Sequence, residues 1–412
     1  MRRVLVTGLG AVTPFGGGVK AYWDGIAAGT CAIRPLALID TAGFRCRVAA
    51  EVPEGIGGSP RRSRADRLAL TAAREALADA GLEARERASA ALLVGAVGGG
   101  MLEAEAWYWR LVRGGSASRS PFDGRGEPEK DHAPARRAAL RSVLPASHAE
   151  VLGSALGLRG PRETVVTACS SGAVALAEAV ELIVDGVVSV ALAGGVDAIT
   201  RLCFMGFNAL KLLDPGPCRP FDRERRGMSI GEGAGFVVLE EAEHARARGA
   251  RPWAELAGHG STTDAYHVTA PHPDGDGMMR AMRAALASAH VEPGAVGYAN
   301  AHGTGTPQND RIESIALARI FGEGGLLVSS TKSMIGHAMA AAGSLEAIAT
   351  VLAVARELVP PTANLGTPDP EVAFDCVPGA ARERRVECAI SNSFGFGGQN
   401  VTLVFRRTAR GR

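Results

Sequence analysis

The chain has 412 residues, of which 46% are hydrophobic and 21% charged, and its net charge is +2. This length and composition allow a large buried core, divided into two domains or two closely packed halves. The near-neutral charge gives no reason to expect a nucleic-acid partner. The apolar stretch 173–196 is interrupted by acidic residues, so no membrane span is expected.

The start of the chain and its cysteines indicate a cytoplasmic protein. Residues 1–10 are basic and then apolar, but the apolar run is short for a signal peptide, so we predict a buried first strand. The seven cysteines are odd in number and contain no CxxC pair, which argues against a disulfide framework and a zinc ribbon. Gly8 and Gly10 resemble a dinucleotide loop, but Thr13 stands at the third glycine position, so NAD binding is not expected.

Along the chain, β-rich segments alternate with Ala-rich helical segments, which predicts an α/β protein with helices covering parallel or mixed sheets. Residues 68–100 and 278–306 share one order: an amphipathic helix, a polar connector, a buried strand and a Gly-rich exit. Apolar helices after Cys169 and after His337 form a second matching pair. We therefore predict a duplicated unit, interrupted in its first copy by a cap or partner surface at about 101–147. Chance similarity between Ala-rich helices is the alternative.

Cys169 stands where a strand, predicted at 163–167, turns into an apolar helix. Free N–H groups and the positive end of the dipole at a helix start stabilise a thiolate and lower the thiol pKa. Backbone donors there can also hold an oxyanion. The alternative is a buried cysteine that serves only as a small apolar residue.

Two further segments carry polar residues that are typical of active sites. His302 follows an apolar strand and begins a Gly-Thr loop, while Lys332 and His337 precede a long helix that carries Glu346. Histidine supplies proton transfer near neutral pH, and a fixed lysine biases the protonation of its neighbours. Taken alone, a histidine or lysine is more often a structural hydrogen-bonding group or a solvated charge than a catalytic residue. The Gly-rich turn at 391–398 lets backbone amides approach a ligand closely or forms a simple hairpin.

Taken together, the motifs resemble those of the β-ketoacyl-acyl carrier protein synthases. They are TACSSG at 167–172, NAHGTGTP at 300–307, TKSMIGH at 331–337, NSFGFGG at 392–398 and the segment 219–235. The resemblance covers essentially the whole chain and implies a condensing acyltransferase. It also implies the thiolase fold, in which two similar halves, here residues 1–255 and 256–412, form α-β-α-β-α layers.

The resemblance implies a role for each site residue. Cys169 would hold the acyl chain as a thioester, and His302 and His337 would promote decarboxylation of malonyl carrier protein. Lys332, held by Glu346, would orient and tune the histidines. The N–H groups of Cys169 and Phe396 would form the oxyanion hole, and Phe396 would gate malonyl entry. Supporting and acyl-pocket positions are Thr304, Thr306, Phe207, His267 and Thr269. No cofactor and no metal are implied.

The resemblance also implies partners. These are an acidic acyl carrier protein in its acyl and malonyl forms and a second subunit. That subunit is either an identical chain or a chain length factor, a homologue without the cysteine. The basic docking candidates are Arg61, Arg62, Arg64 and Lys211, although a solvated helix start explains the three arginines equally well.

The pathway stays open at this level. Segments 32–51 and 308–311 are more similar to type II polyketide ketosynthases, whereas Phe394, Phe396 and Thr304 match the fatty acid enzymes. A degradative thiolase would carry a second cysteine where residues 394–398 stand. A non-catalytic scaffold subunit would tolerate loss of the cysteine or the histidines, and all three are present.

Overall fold

The computed structural model describes residues 2–57, 59, 62–112 and 140–408. Its helices are α1 (Val19–Ala27), α2 (Arg64–Ala80), α3 (Ala84–Ser89), α4 (Met101–Val112), α5 (Ala146–Leu156), α6 (Ser171–Val184), α7 (Arg201–Ala209), α8 (Ala242–Ala247), α9 (Asp276–Ala289), α10 (Pro307–Phe321), α11 (Lys332–Ile335) and α12 (Ala342–Arg356). Of the predicted cap at about 101–147, only the two ends fall inside the described residues.

The strands are β1 (Val4–Thr13), β2 (Gly16–Gly17), β3 (Arg34–Pro35), β4 (Val48–Ala50), β5 (Ala91–Gly95), β6 (Arg162–Val165), β7 (Val190–Asp197), β8 (Ile230–Gly231), β9 (Gly233–Glu241), β10 (Ala254–Thr263), β11 (Tyr298–Asn300), β12 (Leu327–Ser329), β13 (Leu358–Val359), β14 (Arg382–Glu383), β15 (Cys388–Gly395) and β16 (Gln399–Arg406). Short strands β3, β4 and β8 form a small sheet of their own, and β13 pairs with β14.

Ten of these strands form two groups with the same pattern of pairing. In the first, β9 pairs antiparallel with β1 and β7, and β5 pairs parallel with β7 and β6. In the second, β16 pairs antiparallel with β10 and β15, and β11 pairs parallel with β15 and β12. The groups meet where β1 pairs briefly with β10. The duplication predicted from the sequence is therefore confirmed as a structural repeat.

Helices alternate with the two groups of strands in five layers. Helix α2 packs on β1 and β9, and α9 packs on β10 and β16, so these two helices form the outer layers. Between the two groups of strands lie α6 and α12, each of which contacts strands of both groups. The predicted α-β-α-β-α arrangement is confirmed, and it places the starts of both central helices near one another.

Local sequence features explain the close packing of α2 on β1. The helix begins after Ser63, whose hydroxyl accepts the Asp66 N–H, and it ends at Gly81 in the left-handed conformation. A Cβ at Gly8 or Gly10 would lie 2.2 Å or 1.9 Å from a carbonyl oxygen of α2. Glycine at both positions therefore lets the helix approach the strand.

Helix α12 lies in the protein core, and its residues from Ala342 to Val354 are all buried. Together with the preceding turn it forms the segment Met339–Arg356, which is apolar and long enough to cross a membrane, but 89% of it is buried inside the protein. Its apolar residues pack between the two groups of strands, in the largest cluster of buried side chains among the described residues. The length and composition of the segment are accounted for by this central position.

Candidate active site

Cys169 lies in a short 3₁₀ turn, Ala168–Ser170, between β6 and α6. Ala168 adopts a left-handed backbone conformation with φ of 51°, which is strained for a residue with a side chain. The Ser171 hydroxyl closes the turn by donating to the Ala168 carbonyl at 2.7 Å and accepting the Thr167 N–H at 2.9 Å. The strand-to-helix position predicted for Cys169 is the one observed.

The loop that carries Phe396 closes over this turn. A Cβ at Gly395 would lie 3.0 Å from the Thr167 carbonyl oxygen, so glycine allows the approach. The Phe396 backbone N–H acts on the Cys169 thiol and favours its thiolate form. The loop therefore places one backbone donor directly at the candidate nucleophile.

The charge environment of Cys169 differs from the sequence prediction. Burial raises the pKa of the Cys169 thiol to about 11, although the positive charge of Lys332 and the Phe396 N–H act in the opposite direction. The lowered pKa expected at a helix start is therefore wrong for the resting site, because desolvation outweighs the favourable charges. Such a thiol needs its proton removed as the sulfur attacks.

His302 is held from two sides in the loop after β11. The N–H groups of His302 and Gly303 each donate to the buried carboxylate of Glu313 on α10, both at 2.8 Å. The Lys332 ammonium donates to the His302 carbonyl at 2.6 Å and approaches Nδ1 at 3.3 Å. An ammonium group can only donate, so Nδ1 accepts and the ring carries its proton on Nε2.

His337 has the same tautomer for a similar reason. It follows α11, and its Nδ1 accepts the backbone N–H of Met339 at 3.2 Å. Its Nε2 is buried and has no hydrogen-bond partner among the described residues. The proton on that atom is therefore available to a bound ligand.

Lys332 and Glu346 form a buried ion pair behind the two histidines. The Lys332 ammonium donates to the Glu346 carboxylate, and both side chains are almost fully buried. With the His302 carbonyl and ring, these contacts use all three donors of the ammonium. Burial raises the pKa of Glu346, and the lysine charge opposes that rise. The pairing predicted from the sequence is therefore observed.

The imidazole rings of His302 and His337 are arranged edge to face, with centroids 5.4 Å apart and planes at 84°. The pKa of both histidines lies well below the ordinary value. Burial is the main cause, and the positive charge of Lys332 is the second. Each ring is therefore neutral near pH 7 and presents an Nε2–H. Two neutral donors at one cavity can bind a carbonyl oxygen and stabilise the negative charge that develops on it.

The turns that carry Cys169 and His337 are packed against each other through backbone atoms. A Cβ at Gly172 or Gly195 would lie 2.7 Å or 2.3 Å from the Ala340 carbonyl oxygen. Because neither residue has a Cβ, the start of α6, the end of β7 and the turn before α12 fit together. This contact joins the two structural repeats beside the cavity.

Comparison with models of known protein families identifies the family of this chain. The N-terminal domain model of the β-ketoacyl synthases matches residues 1–245, and their C-terminal domain model matches residues 253–366. The chain belongs to the β-ketoacyl synthase family. It is accordingly a condensing enzyme of the acyltransferase kind.

Individual relatives of this ketosynthase agree over the full length. A 3-oxoacyl-[acyl-carrier-protein] synthase 2 from Synechocystis sp. is 40% identical over 98% of this chain and 98% of its own. The solved structure of the ishigamide ketosynthase/chain length factor has a TM-score of 0.89 at 36% identity, covering 99% and 100% of the chains. The ketosynthase structure of the AntDE:AntF complex has a TM-score of 0.88 at 32% identity, with the same coverage.

The ketosynthase cavity has a volume of about 340 Å³. Its lining includes the candidate residues Cys169, His302, His337, Thr304, Thr306, Phe207, Thr269 and Phe396. The two threonine hydroxyls are hydrogen-bonded to each other at 2.9 Å, and the Phe207 ring lies 5.8 Å from that of Phe396. The structure thus brings most of the predicted site residues to one cavity.

His267 does not share this position. Its side chain is exposed, and its Nδ1 accepts the backbone N–H groups of Thr269 and Ala270, both at 3.1 Å. The residue shapes the loop that carries Thr269 but is not part of the cavity lining. The acyl-pocket role predicted for His267 is therefore corrected to a role in loop structure.

The basic residues predicted to dock a carrier protein differ in their exposure. Arg61 lies outside the described residues, whereas Arg62 is half-buried and Lys211 is exposed. Arg64 is buried, and its guanidinium donates to both carboxylate oxygens of Glu232 at 2.6 and 2.9 Å. A docking role for Arg64 is therefore wrong, because its charge is already neutralised inside the protein.

Three buried carboxylates were not predicted from the sequence. Glu313 fixes the His302 backbone, Asp310 accepts the N–H groups of Phe221 and Gly305, and Asp197 accepts those of Gly98, Gly99 and Ala340. Burial raises the pKa of Glu313 to about 7. Asp310 and Glu313 bind the backbone of the Gly-Thr loop that shortly precedes them in the sequence, whereas Asp197 binds segments that are distant in the sequence. Among the described residues, no group of three or more His, Cys, Asp or Glu side chains could hold a metal ion.

Proposed function

We propose that this ketosynthase catalyses the decarboxylative Claisen condensation of malonyl carrier protein with an acyl chain held on Cys169. The observation that supports it most directly is that Cys169, His302 and His337 all line one cavity. Lys332 stands buried behind the histidines and contacts His302. A cysteine with two neutral imidazole donors suits acyl transfer followed by carbanion formation.

The first half-reaction loads the acyl chain. The Cys169 sulfur attacks the thioester carbonyl of an acyl carrier protein, and the thiol proton ends on the sulfur of the released carrier. We assign the oxyanion of this step to the N–H groups of Cys169 and Phe396. The influence of the Phe396 N–H on the Cys169 thiol supports that assignment, because this donor already favours negative charge on the reacting sulfur.

The second half-reaction begins with malonyl carrier protein. Its thioester carbonyl oxygen would accept hydrogen bonds from the Nε2–H groups of His302 and His337. These bonds lower the energy of the enolate that forms when the carboxylate leaves as carbon dioxide. The enolate carbon attacks the acyl thioester on Cys169, the new carbon-carbon bond forms and the carbon-sulfur bond breaks. The cysteine thiolate then takes a proton from water.

Two substitutions of Cys169 test this scheme in single-turnover assays with malonyl carrier protein. Cys169→Ala should abolish condensation, while Cys169→Gln should lose condensation and keep or increase decarboxylation, because an amide mimics the acylated state. Cys31→Ala, at a half-buried position away from the cavity lining, is the matched control and should keep both activities. Full condensation by Cys169→Ala would refute the scheme.

We further propose that an acidic acyl carrier protein docks beside the cavity through Lys211 and Arg62. Lys211 follows α7, and in the sequence it lies between two residues that line the cavity, Phe207 and Leu212. Ketosynthase structures of other pathways include a complex with a type II acyl carrier protein, AntDE:AntF. Lys211→Glu and Arg62→Glu should raise the KM for carrier-bound substrate and spare small thioester mimics. Equal effects on both substrate forms would exclude the docking role.

A second subunit is proposed on the side of β6. This strand ends the sheet order, and Val166 directly after it is 56% exposed. Further large apolar side chains are exposed on α4 and α7, namely Tyr108, Leu202 and Met205. A strand edge that no other described strand pairs with, beside exposed apolar side chains, is typical of an interface between subunits.

The composition of this dimer can be tested by purifying the chain alone. A particle of twice the chain mass supports a homodimer, whereas a chain that becomes stable only with a co-expressed homologue supports a heterodimer with a chain length factor. Val166→Lys should disrupt either assembly. An assembly that is unchanged by this substitution would place the interface elsewhere.

Two pathways remain candidates for this site. The ishigamide and AntDE:AntF structures are type II polyketide or chain length factor systems by name, and we propose a polyketide role first. A fatty acid elongation role is the second candidate, favoured by the Synechocystis relative. Mass spectrometry of the acyl group trapped on Cys169 in the native host distinguishes them. We also propose that the two halves divide near residue 255 and that the enzyme acts in the cytoplasm.

A further inference from the structure

Asp197 is a buried carboxylate that connects two loops beside the site. It ends β7 and is 1% exposed. Its Oδ1 accepts the N–H groups of Gly98 and Gly99 at 2.7 and 2.9 Å. Its Oδ2 accepts the Ala340 N–H at 3.1 Å. The carboxylate therefore joins the loop after β5, in the first repeat, to the turn before α12, in the second.

The turn held by Asp197 is strained and contacts His337. Met339 has a left-handed backbone with φ of 50°, a conformation that persists only where surrounding contacts enforce it. The same residue donates its N–H to His337 Nδ1 at 3.2 Å. Because the Ala340 N–H belongs to the peptide after Met339, its bond to Asp197 fixes the conformation that directs the Met339 N–H at the ring.

We propose that Asp197 is a positioning residue that keeps His337 in the tautomer with its proton on Nε2. The inference rests on the role proposed above for His337 as a hydrogen-bond donor to the malonyl thioester. With the Met339 N–H in place, Nδ1 can only accept, and the proton stays on the atom that faces the cavity. Without it, the proton can move to Nδ1, and one of the two donors at the cavity is lost.

The substitution Asp197→Asn separates the two sides of this contact. An asparagine has one acceptor oxygen and one NH₂ group. The oxygen satisfies two donors when it faces Gly98 and Gly99 and only one when it faces Ala340, so the amide turns its NH₂ group toward the Ala340 N–H. The variant thus keeps the loop after β5 and loses the hydrogen bond to the strained turn.

The experiment uses the full chain carrying Cys169→Gln, which isolates decarboxylation from condensation. In this background Asp197→Asn should lower the rate of malonyl carrier protein decarboxylation about 10-fold. Nitrogen NMR of histidine rings, with the His337 signals assigned from His337→Asn, should show a mixture of tautomers in place of one. Glu240→Gln, another fully buried carboxylate but held by Arg248, is the control for general loss of packing and should leave both readouts unchanged.

The outcomes are distinguishable. If Cys169→Gln alone does not decarboxylate malonyl carrier protein, the proposed function fails and not only the role of Asp197. If it does decarboxylate, and Asp197→Asn changes neither the rate nor the tautomer signals, the positioning role is overturned. An equal loss of rate in Glu240→Gln, with the His337 tautomer unchanged in both variants, also overturns it.

Discussion

Replacing Lys332 by methionine should affect stability and chemistry through different contacts. The ammonium binds Glu346 and the His302 carbonyl and ring. Removing it leaves the buried Glu346 without its cation, which costs about 3–5 kcal/mol of folding free energy. It also frees His302 Nδ1 to take the ring proton, and loss of one oxyanion donor lowers kcat by about 10²–10³-fold.

The double variant Lys332→Met/Glu346→Gln separates these effects. Because it removes both charges, it should recover most of the thermal stability lost by Lys332→Met. The decarboxylation rate should stay as low as in the single variant, since the donor to His302 is still missing. Differential scanning fluorimetry and carbon dioxide release from malonyl carrier protein measure the two quantities. Recovery of decarboxylation together with stability would show that Lys332 serves only the fold and would refute the tautomer argument.

Three further predictions follow from the site and its surroundings. The pKa of both histidines lies well below 6.5, so the decarboxylation rate of Cys169→Gln should not change between pH 8 and pH 6. With an ordinary histidine pKa, the rate would fall about fourfold for each ring at pH 6. Arg64→Met should lower the free energy of unfolding by about 3–5 kcal/mol because Glu232 loses its buried partner; Arg62→Met should leave stability unchanged, and equal denaturation midpoints would contradict the assignment. Phe207→Ala removes the ring against Phe396 and should shift the acyl-enzymes formed from a mixture of chain lengths toward longer chains, as measured by mass spectrometry; an unchanged distribution would exclude Phe207 from chain selection.

The fold could be predicted largely from repeated patterns of apolar residues. The matching segments at 68–100 and 278–306 correspond to α2–β5 and α9–β11, which occupy equivalent places in the two repeats. The pairing of the strands and the central position of α6 and α12 depend on long-range contacts, which apolar periodicity alone does not specify. For those features the family resemblance carried the prediction.

The site could be predicted as a set of residues but not as an electrostatic system. Its place at a helix start predicts a lowered pKa for Cys169, yet the thiol is buried and the Gly395–Phe396 loop from the far end of the chain packs on its turn. Arg64 looked like a surface charge in an Arg-rich run, but Glu232, 168 residues away, neutralises it. Both errors come from long-range contacts that a local sequence window does not contain.

The backbone contact of Gly172 and Gly195 with the Ala340 carbonyl has an implication for how the enzyme can change over time. The spacing between nucleophile and histidine is set by main-chain atoms, which substitutions elsewhere in the cavity do not alter. The cavity-lining side chains predicted for the acyl pocket, such as Phe207 and Thr269, belong to other segments. Substrate range can therefore change during evolution while the reaction geometry stays the same. Any side chain at either glycine would alter that geometry, because it would push the two repeats apart.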